Sequence, residues 1–393
     1  MTRPDFDVVV AGAGMVGACA AFALAGRGMR VALVEPVSVM PPIESGAAYD
    51  LRVSAISPQS RDILSGLGVW QRLDAGRVCY YEQMRVWHEN GKASVSFDAV
   101  DLARDDLGAI VENRLLQQAL QSACEAESSI QWFRPDSVSD IISNDASGVE
   151  LRLQSGRAIR AALLLAADGR NSPTRALAGI ECQSGDYRQR AFVANVDTTE
   201  PHQHTAWQRF LKTGPLAFLP LANGQSSIVW SCDQALANEL DELDEAGFCT
   251  ALGDAFEYRL GRVTGCGERR SFPLGWHRCD HWLEGRVLLI GDAAHSVHPL
   301  AGQGVNLGFS DVDLCARLIG DCRDRVSGQS LRRFERQRKS ETWLAGNSFS
   351  ALKWVYGIDQ SGFTRLRDLG MQVVDNTPWL KRALIGKAVR NIT

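Results

Sequence analysis

The chain has 393 residues, 45% of them hydrophobic and 22% charged, enough to bury a substantial core in one large two-lobed unit rather than in several independent domains. A formal net charge of −4, with no Lys/Arg block interleaved with aromatic residues, argues against nucleic acid as the main partner. No uninterrupted apolar run is long enough to span a bilayer, and the first strand starts too soon after Met1 to leave room for a signal peptide, which predicts a cytoplasmic protein.

The run FDVVVA at 6–11 suits a buried parallel strand, and the Ala-rich pattern from 16 to 28 suits a helix packed on it. Between them lies Gly12-Ala13-Gly14-Met15-Val16-Gly17. Gly12 permits the sharp turn, Gly14 lets a pyrophosphate approach the backbone, and Gly17 lets the helix lie close to the sheet, with free N–H groups aimed at the phosphates. A second strand, VALV at 31–34, ends in Glu35, at the distance expected of a carboxylate that binds an adenosine ribose hydroxyl. No Arg follows at once to favour a 2′-phosphate. Alone, such a loop leaves NAD, NADP, FAD or a mere tight turn open.

Residues 162–167 read as another buried strand, running into Asp168-Gly169-Arg170-Asn171-Ser172, a turn signal that is weak by itself. Short apolar and aromatic runs at 191–196, 206–211, 216–221 and 227–232, with Asn223-Gly224 marking a turn, predict an antiparallel sheet in a second lobe. A helical stretch is expected from about 239 to 257. The strand at 286–291 then delivers Asp292 at its carboxyl end, where open α/β sheets place ligands and where an Asp can accept hydrogen bonds from ribityl hydroxyls. The segment 301–306 leads into a helix through Gly302 and Gly304, so backbone N–H groups and a positive dipole end would face the negative charge of a reduced flavin ring. This second ligand signal, far from the first, resolves the ambiguity of the N-terminal loop in favour of FAD.

Two other features invite chemistry. His277, Cys279 and His281 alternate and would share one face of a strand, but a fourth zinc ligand at sensible spacing is missing, so no metal site is assigned. The ten cysteines are scattered without a CxxC pair, which reads as reduced thiols. His295 and His298 lie beside the flavin motif and receive no proton-transfer role.

These segments, in this order and spacing, resemble the FAD-dependent aromatic hydroxylases of the para-hydroxybenzoate hydroxylase fold, and within that group the ubiquinone-biosynthesis hydroxylases. The resemblance covers nearly the whole chain, through LRVSAI at 51–56, GLGVW at 66–70, VENR at 111–114, LAFLPL at 216–221, 291–308 and DLGM at 368–371. It implies an α/β fold with a Rossmann-like FAD-binding lobe, a second lobe built on an antiparallel sheet, and a helical C-terminal region. The divisions expected are 1–185 for the first part of the FAD lobe, 186–275 for the substrate lobe, 276–340 for the return to the FAD lobe, and 341–393 for the C-terminal helices.

Carried over residue by residue, the resemblance places Arg52 and Arg114 on the FAD, Glu35 on its ribose and Asp292 on the ribityl chain. Pro299 and the backbone of Gly304, Val305 and Asn306 would lie beside the isoalloxazine. Asp168 and Gly169 would support the FAD and the passage used by a nicotinamide donor. For Arg52 and Arg114 a surface salt bridge is the alternative. The antiparallel sheet would cover the flavin and form the substrate cavity, making Trp207, Phe210, Phe218 and Trp230 candidate lining residues, with ordinary core packing as the competing reading of each.

The implied reaction uses NAD(P)H to reduce FAD, O2 to form a flavin C4a-hydroperoxide, and a prenylated phenol or quinol as the acceptor of oxygen. No residue identifies itself as a catalytic base, and no second fingerprint reads NADH or NADPH. Residues 80–87 and 96–98 look closest to the subgroup member that makes the first, C5-type hydroxylation. A flavin oxidase of small amines or hydroxy acids, or a non-catalytic prenyl-binding subunit, remain the other readings. From 343 onward seven Lys/Arg face three Asp, so the tail carries +4 and the remainder −8. A basic helical tail suits peripheral contact with anionic lipid or with a biosynthetic complex, or else is a solvated helix face. A homo-oligomer is compatible with the sequence.

Overall fold

The structure is a computed structural model that describes residues 4–44, 46–89, 93–296, 304–320, 326–357, 373–375, 377 and 381–382, with backbone alone over 343–357. The chain opens with β1 (Phe6–Ala11), α1 (Met15–Ala25) and β2 (Val31–Val34). Then come β3 (Val53–Ile56), α2 (Pro58–Gly66), β4 (Cys79–Tyr81), β5 (Gln83–His88), β6 (Ser94–Asp98), β7 (Gly108–Glu112), α3 (Asn113–Ala126) and β8 (Ile130–Phe133). Strands β9 (Val138–Asp145), β10 (Gly148–Leu153) and β11 (Ala158–Ala166) lead to α4 (Pro173–Leu177) and the long β12 (Cys182–Thr198). After β13 (Thr205–Phe210), β14 (Pro215–Pro220) and β15 (Ser226–Asp233) lie α5 (Gln234–Glu242) and α6 (Glu245–Ala255). The return runs through β16 (Val263–Cys266), β17 (Arg270–Cys279), β18 (Leu283–Glu284), β19 (Val287–Leu289) and β20 (His295–Ser296) to α7 (Gly304–Ile319) and α8 (Gly328–Gly357).

Three sheets organise the described residues. The first has the order β18-β19-β11-β1-β2-β8, with β9 and β10 attached through β11. Its β19-β11-β1-β2-β8 core is parallel, which explains the continuous apolar runs: both faces are covered, so alternation has no polar side to serve. Helix α1 is buried nearly all round because it lies between this sheet and helices α3 and α7.

The second sheet has the order β20-β17-β12-β15-β14-β13-β5-β6, with β16 on β12. It is antiparallel except for the β13–β5 pair, and it takes β5 and β6 from chain that the sequence assigns to the first lobe. Strands β3, β7 and β4 make a small third sheet. The second sheet is covered on both sides. One face packs Phe192, Trp207, Phe218 and Trp230 on Phe248, Leu252 and Phe256 of the α5–α6 segment. The other packs Ala206, Ala217 and Leu219 on Tyr81 and Ile110 of the third sheet.

Two sequence expectations change. The helical stretch from 239 to 257 is two helices, because Asp244 turns its carboxylate to the Gly247 N–H (2.7 Å) and starts α6 anew. The thiols are not all reduced: Cys182 and Cys279 face each other across β12 and β17 and form a disulfide. Their separation of 97 residues hides the pair from a spacing argument, since strand pairing alone brings them together. The other described cysteines are free and buried.

Candidate FAD and substrate site

The glycine loop separates into three physical jobs. Gly12 has φ +95, and a Cβ there would stand 2.7 Å from the Ala167 carbonyl, so the turn also packs against the Asp168 motif. A Cβ on Gly17 would stand 1.9 Å from the Gly12 carbonyl, which makes Gly17 the close-packing position. Around Gly14 a Cβ would meet nothing within 4 Å. This glycine caps α1 without any side chain, and no acid occupies the first turn, so the orphan N–H groups of the helix open onto free space. That is a cradle suited to the FAD pyrophosphate.

Glu35 sits at the end of β2, where one carboxylate oxygen accepts from the Ala13 N–H (2.6 Å) and the other from the Val37 N–H (3.1 Å). A carboxylate offers about four lone-pair directions, so it can brace the loop and still receive a ribose hydroxyl. Gln117 and Gln121 donate to the Ala13 carbonyl at 3.3 and 2.8 Å from one face of α3. These two braces were not singled out in the sequence; their i, i+4 spacing is the signal that marks them.

Arg52 ends a loop held by a buried ion pair. Arg77 grips Glu112 with two hydrogen bonds (2.7 and 2.8 Å) and donates to the Ala47 and Ala48 carbonyls, while Glu112 also accepts the Asp50 N–H at 2.7 Å. Asn195 of β12 donates to the Tyr49 carbonyl at 3.0 Å, tying the second sheet to the same loop. Arg52 itself is exposed. Arg114 donates to the Pro41 carbonyl at 2.8 Å, so it secures the 36–44 segment that follows Glu35.

Asp168 has its carboxylate committed locally, to the Ser172 hydroxyl and to the Thr174 N–H (3.0 Å), where it shapes the start of α4. Gly169 takes φ +85. Arg175 then links this turn to the downstream motif by donating to both the Arg170 and the Ala293 carbonyls at 2.9 Å. Asp292 is exposed at the turn that follows β19. The protein packed around it still pushes its carboxyl above the ordinary value, and His295, Arg52 and Arg170 pull the other way.

The two glycine motifs meet at Val16. A Cβ on Gly308 would stand 2.4 Å from this side chain and one on Gly291 3.1 Å, so only glycines let α1, the Gly291 turn and α7 come together. Gly304 opens α7 with nothing within 4 Å of a Cβ, and Val305 is half-buried. The Asn306 side chain is committed to suturing α7 to the third sheet and α2, donating to the Ala55 carbonyl (2.8 Å) and accepting from the Ser57 N–H (3.0 Å). Pro299, Gly302 and His298 lie outside the described residues.

The aromatic candidates divide by face. Trp207, Phe218 and Trp230 are in the α5–α6 core, with Phe218 stacked on Phe256 at 3.9 Å; for these three the packing reading holds. Phe210 alternates with Trp207 and Arg209 along β13, which puts it with Ala206 on the side that meets the third sheet. The His277–Cys279–His281 alternation does not converge on a metal: Cys279 is bonded to Cys182, His281 is exposed and His277 is buried.

A glycine cradle joined to an Asp-bearing turn over a parallel sheet, with a large second sheet beside it, defines an FAD-dependent monooxygenase frame. The chain belongs to the FAD binding domain family, whose model matches residues 5–346. It is 33% identical over 393 residues to the 3-demethoxyubiquinol 3-hydroxylase of Escherichia coli (strain K12), covering 99% of this chain and 100% of that one. It is also 33% identical to the mitochondrial ubiquinone biosynthesis monooxygenase COQ6 of Homo sapiens, covering 98% and 93% of the two chains. In fold it matches the p-nitrophenol 4-monooxygenase PnpA of Pseudomonas putida DLL-E4, with TM-score 0.78, 18% identity and 98% of each chain covered. Among the described residues no helix is long and apolar enough to cross a membrane.

Proposed function

We propose that this protein hydroxylates the aromatic ring of a polyprenylated phenol or quinol in ubiquinone biosynthesis, with FAD as the resident cofactor, O2 as oxidant and NAD(P)H as electron donor. The observation that carries the reading is the end-to-end match to relatives named for this step, on a chain whose two flavin motifs close on one another at Val16. Bound FAD supplies the redox and oxygen chemistry. The protein's share is to hold the pyrophosphate at Gly14, the ribose at Glu35 and the ribityl chain at Asp292, and to present the substrate ring under the second sheet in a space closed to water.

The small apolar side of the second sheet, where Ala206, Ala217 and Leu219 pack on Tyr81 and Ile110, supports an apolar ring and prenyl chain bound at its margin. One glycine-rich βαβ loop, already suited to FAD, supports a donor that visits without a dinucleotide-binding unit of its own. The relatives' names span more than one substrate, so product analysis assigns the ring carbon. The basic tail is proposed to touch anionic lipid, although Lys381 is partly neutralised by Asp375 (3.1 Å) and Asp101 (3.8 Å).

The test is NAD(P)H oxidation by FAD-reconstituted protein with and without a short-chain prenylphenol, following product mass and H2O2 together. A product heavier by one oxygen, with little H2O2, is expected. Oxidation that yields only H2O2 with every phenol, or a protein that takes up no FAD, refutes the reading. Co-sedimentation with liposomes rich in anionic lipid, lost on charge reversal of the tail, tests the membrane contact; binding that survives the reversal refutes it.

A further inference from the structure

Among the described residues, the most heavily buried charges lie directly behind the flavin turn. Asp311 of α7 and Arg338 of α8 are 0% and 1% exposed, a costly placement for ionised groups unless each finds partners. Asp311 finds three. One oxygen accepts from the Gly291 N–H at 2.8 Å and stands 2.9 Å from His295 Nε2, and the other accepts from Arg338 Nε at 2.6 Å. Arg338 also donates to the Leu307 carbonyl at 3.1 Å and is paired with Glu341. Burial opposes ionisation of Asp311, but Arg338 and His295 outweigh it and hold the carboxyl below its ordinary value.

Gly291 and His295 are the two ends of the turn that carries Asp292. Gly291 turns left-handed at φ +58, which takes its N–H out of the strand ladder and leaves it needing an acceptor. His295 is fixed on its other side by Trp282, stacked at 4.9 Å. One carboxylate oxygen therefore closes the turn from behind, and the direction in which Asp292 points follows from it.

We propose that Asp311 and Arg338 are positioning residues for FAD: Arg338, from the C-terminal helix, orients the Asp311 carboxylate, which clamps Gly291 and His295 and so aims Asp292 at the cofactor. The inference rests on the reading that Asp292 meets FAD. It makes α8 part of the cofactor site although α8 carries none of the flavin motifs.

The test compares Arg338→Met and Arg338→Lys with a core variant far from the turn, Leu240→Ala, using the full chain. FAD affinity is measured by flavin fluorescence, stability of the apoprotein by urea unfolding, and amide hydrogen exchange of 291–296 in the apoprotein by mass spectrometry. Expected for Arg338→Met is an FAD affinity lower by at least about tenfold, the scale of one lost hydrogen bond to a charged group, with faster exchange across 291–296. Arg338→Lys, which keeps the charge, should recover part of both, and Leu240→Ala should change neither.

Parental affinity and exchange in the Arg338 variants would overturn the proposal, as would an equal loss of affinity in Leu240→Ala. Should Arg338→Met not fold, Arg338→Lys against Leu240→Ala decides on the same two readouts. Asp292→Asn separates the two levels: if it leaves FAD affinity unchanged, the assignment of Asp292 fails first, whereas a loss there with none in the Arg338 variants refutes the positioning role alone.

Discussion

Replacing Gly14 and Gly17 with alanine, one at a time, separates cofactor binding from folding within four residues. At Gly14 the new methyl meets nothing within 4 Å and the backbone already has φ −65, ψ −178, a conformation open to alanine. Alanine caps a helix less well than glycine, at a cost of about 0.5–1 kcal/mol, but it also loses less backbone freedom on folding, which offsets part of that; the apoprotein should therefore lose no more than about 1 kcal/mol. The methyl does, however, occupy the free space beside the N–H groups at the start of α1. Displacing a pyrophosphate from even one or two charge-assisted hydrogen bonds costs about 2–4 kcal/mol, or roughly 30- to 1,000-fold in FAD affinity.

At Gly17 the methyl would stand 1.9 Å from the Gly12 carbonyl, 3.0 Å from its carbon and 3.1 Å from Ala167 Cβ. Two of these are backbone atoms, so α1 must move off the sheet, at a cost of about 1–3 kcal/mol or more in overpacking. The assay is urea unfolding of both apoproteins beside FAD titration by fluorescence quenching. Gly17→Ala should lose stability and FAD together; Gly14→Ala should lose FAD with the smaller loss of stability. Parental FAD affinity in Gly14→Ala would refute the assignment of this loop to the pyrophosphate.

Three further outcomes are expected. Phe218→Ala, which removes a ring stacked 3.9 Å from Phe256, should cost about 3–5 kcal/mol of stability while the folded protein keeps its KM for substrate; Phe210→Ala should raise KM, and the reverse pattern would exchange the two faces of the sheet. Asn306→Ala strips the Ala55 carbonyl and the Ser57 N–H of their partners and should cost about 1–3 kcal/mol for each buried group left unpaired, checked by thermal and urea unfolding. His277 is pushed down from 6.5 to about 4, first by burial and then by Arg175. The unfolded chain therefore takes up this proton before the folded one, and stability present above about pH 6.5 is lost as pH falls towards 4, by roughly 3 kcal/mol at 1.4 kcal/mol per pH unit. His277→Phe should flatten that part of the unfolding profile, and parallel profiles for the two proteins would refute it.

The geometry of the glycines and the place of Asp292 after β19 were legible in the sequence because their demands are local. A left-handed turn, an open N-cap and a close helix-sheet approach each require glycine whatever lies elsewhere, and a strand end in an open α/β sheet is where a ligand sits. The faces of the second sheet were not legible in the same way. Alternation along TAWQRF in β13 separates Trp207 and Arg209 from Ala206, Gln208 and Phe210, but all six residues are buried, so polarity does not mark which side meets the cofactor lobe. Choosing the aromatics picked out Trp207, Phe218 and Trp230 on the α5–α6 side, where large rings fill the deeper core, together with Phe210 on the opposite side beside the small residues Ala206 and Ala217.

The residues that hold the site rigid were the least legible, for a reason that follows from charge burial. Arg77 with Glu112, Arg175 with the Ala293 carbonyl, and Arg338 with Asp311 span 35, 118 and 27 residues, and each arginine lies outside the glycine motifs. A charge can be buried only where the fold supplies its partner; the partner is fixed by how helices and sheets pack, and no spacing rule announces it. Yet each of these pairs ends on a segment that the motifs do name: the loop before Arg52, the turn after Asp168, the turn around Asp292. If the motifs are where FAD is touched, as proposed, then the Arg77 and Arg338 ion pairs and the Arg175 hydrogen bond set how firmly those contacts are held. Substitutions at Arg77, Arg175 and Arg338 should accordingly weaken FAD binding without touching FAD, with Arg77→Met freeing the 47–52 loop in hydrogen exchange and leaving the Gly12 loop as protected as before.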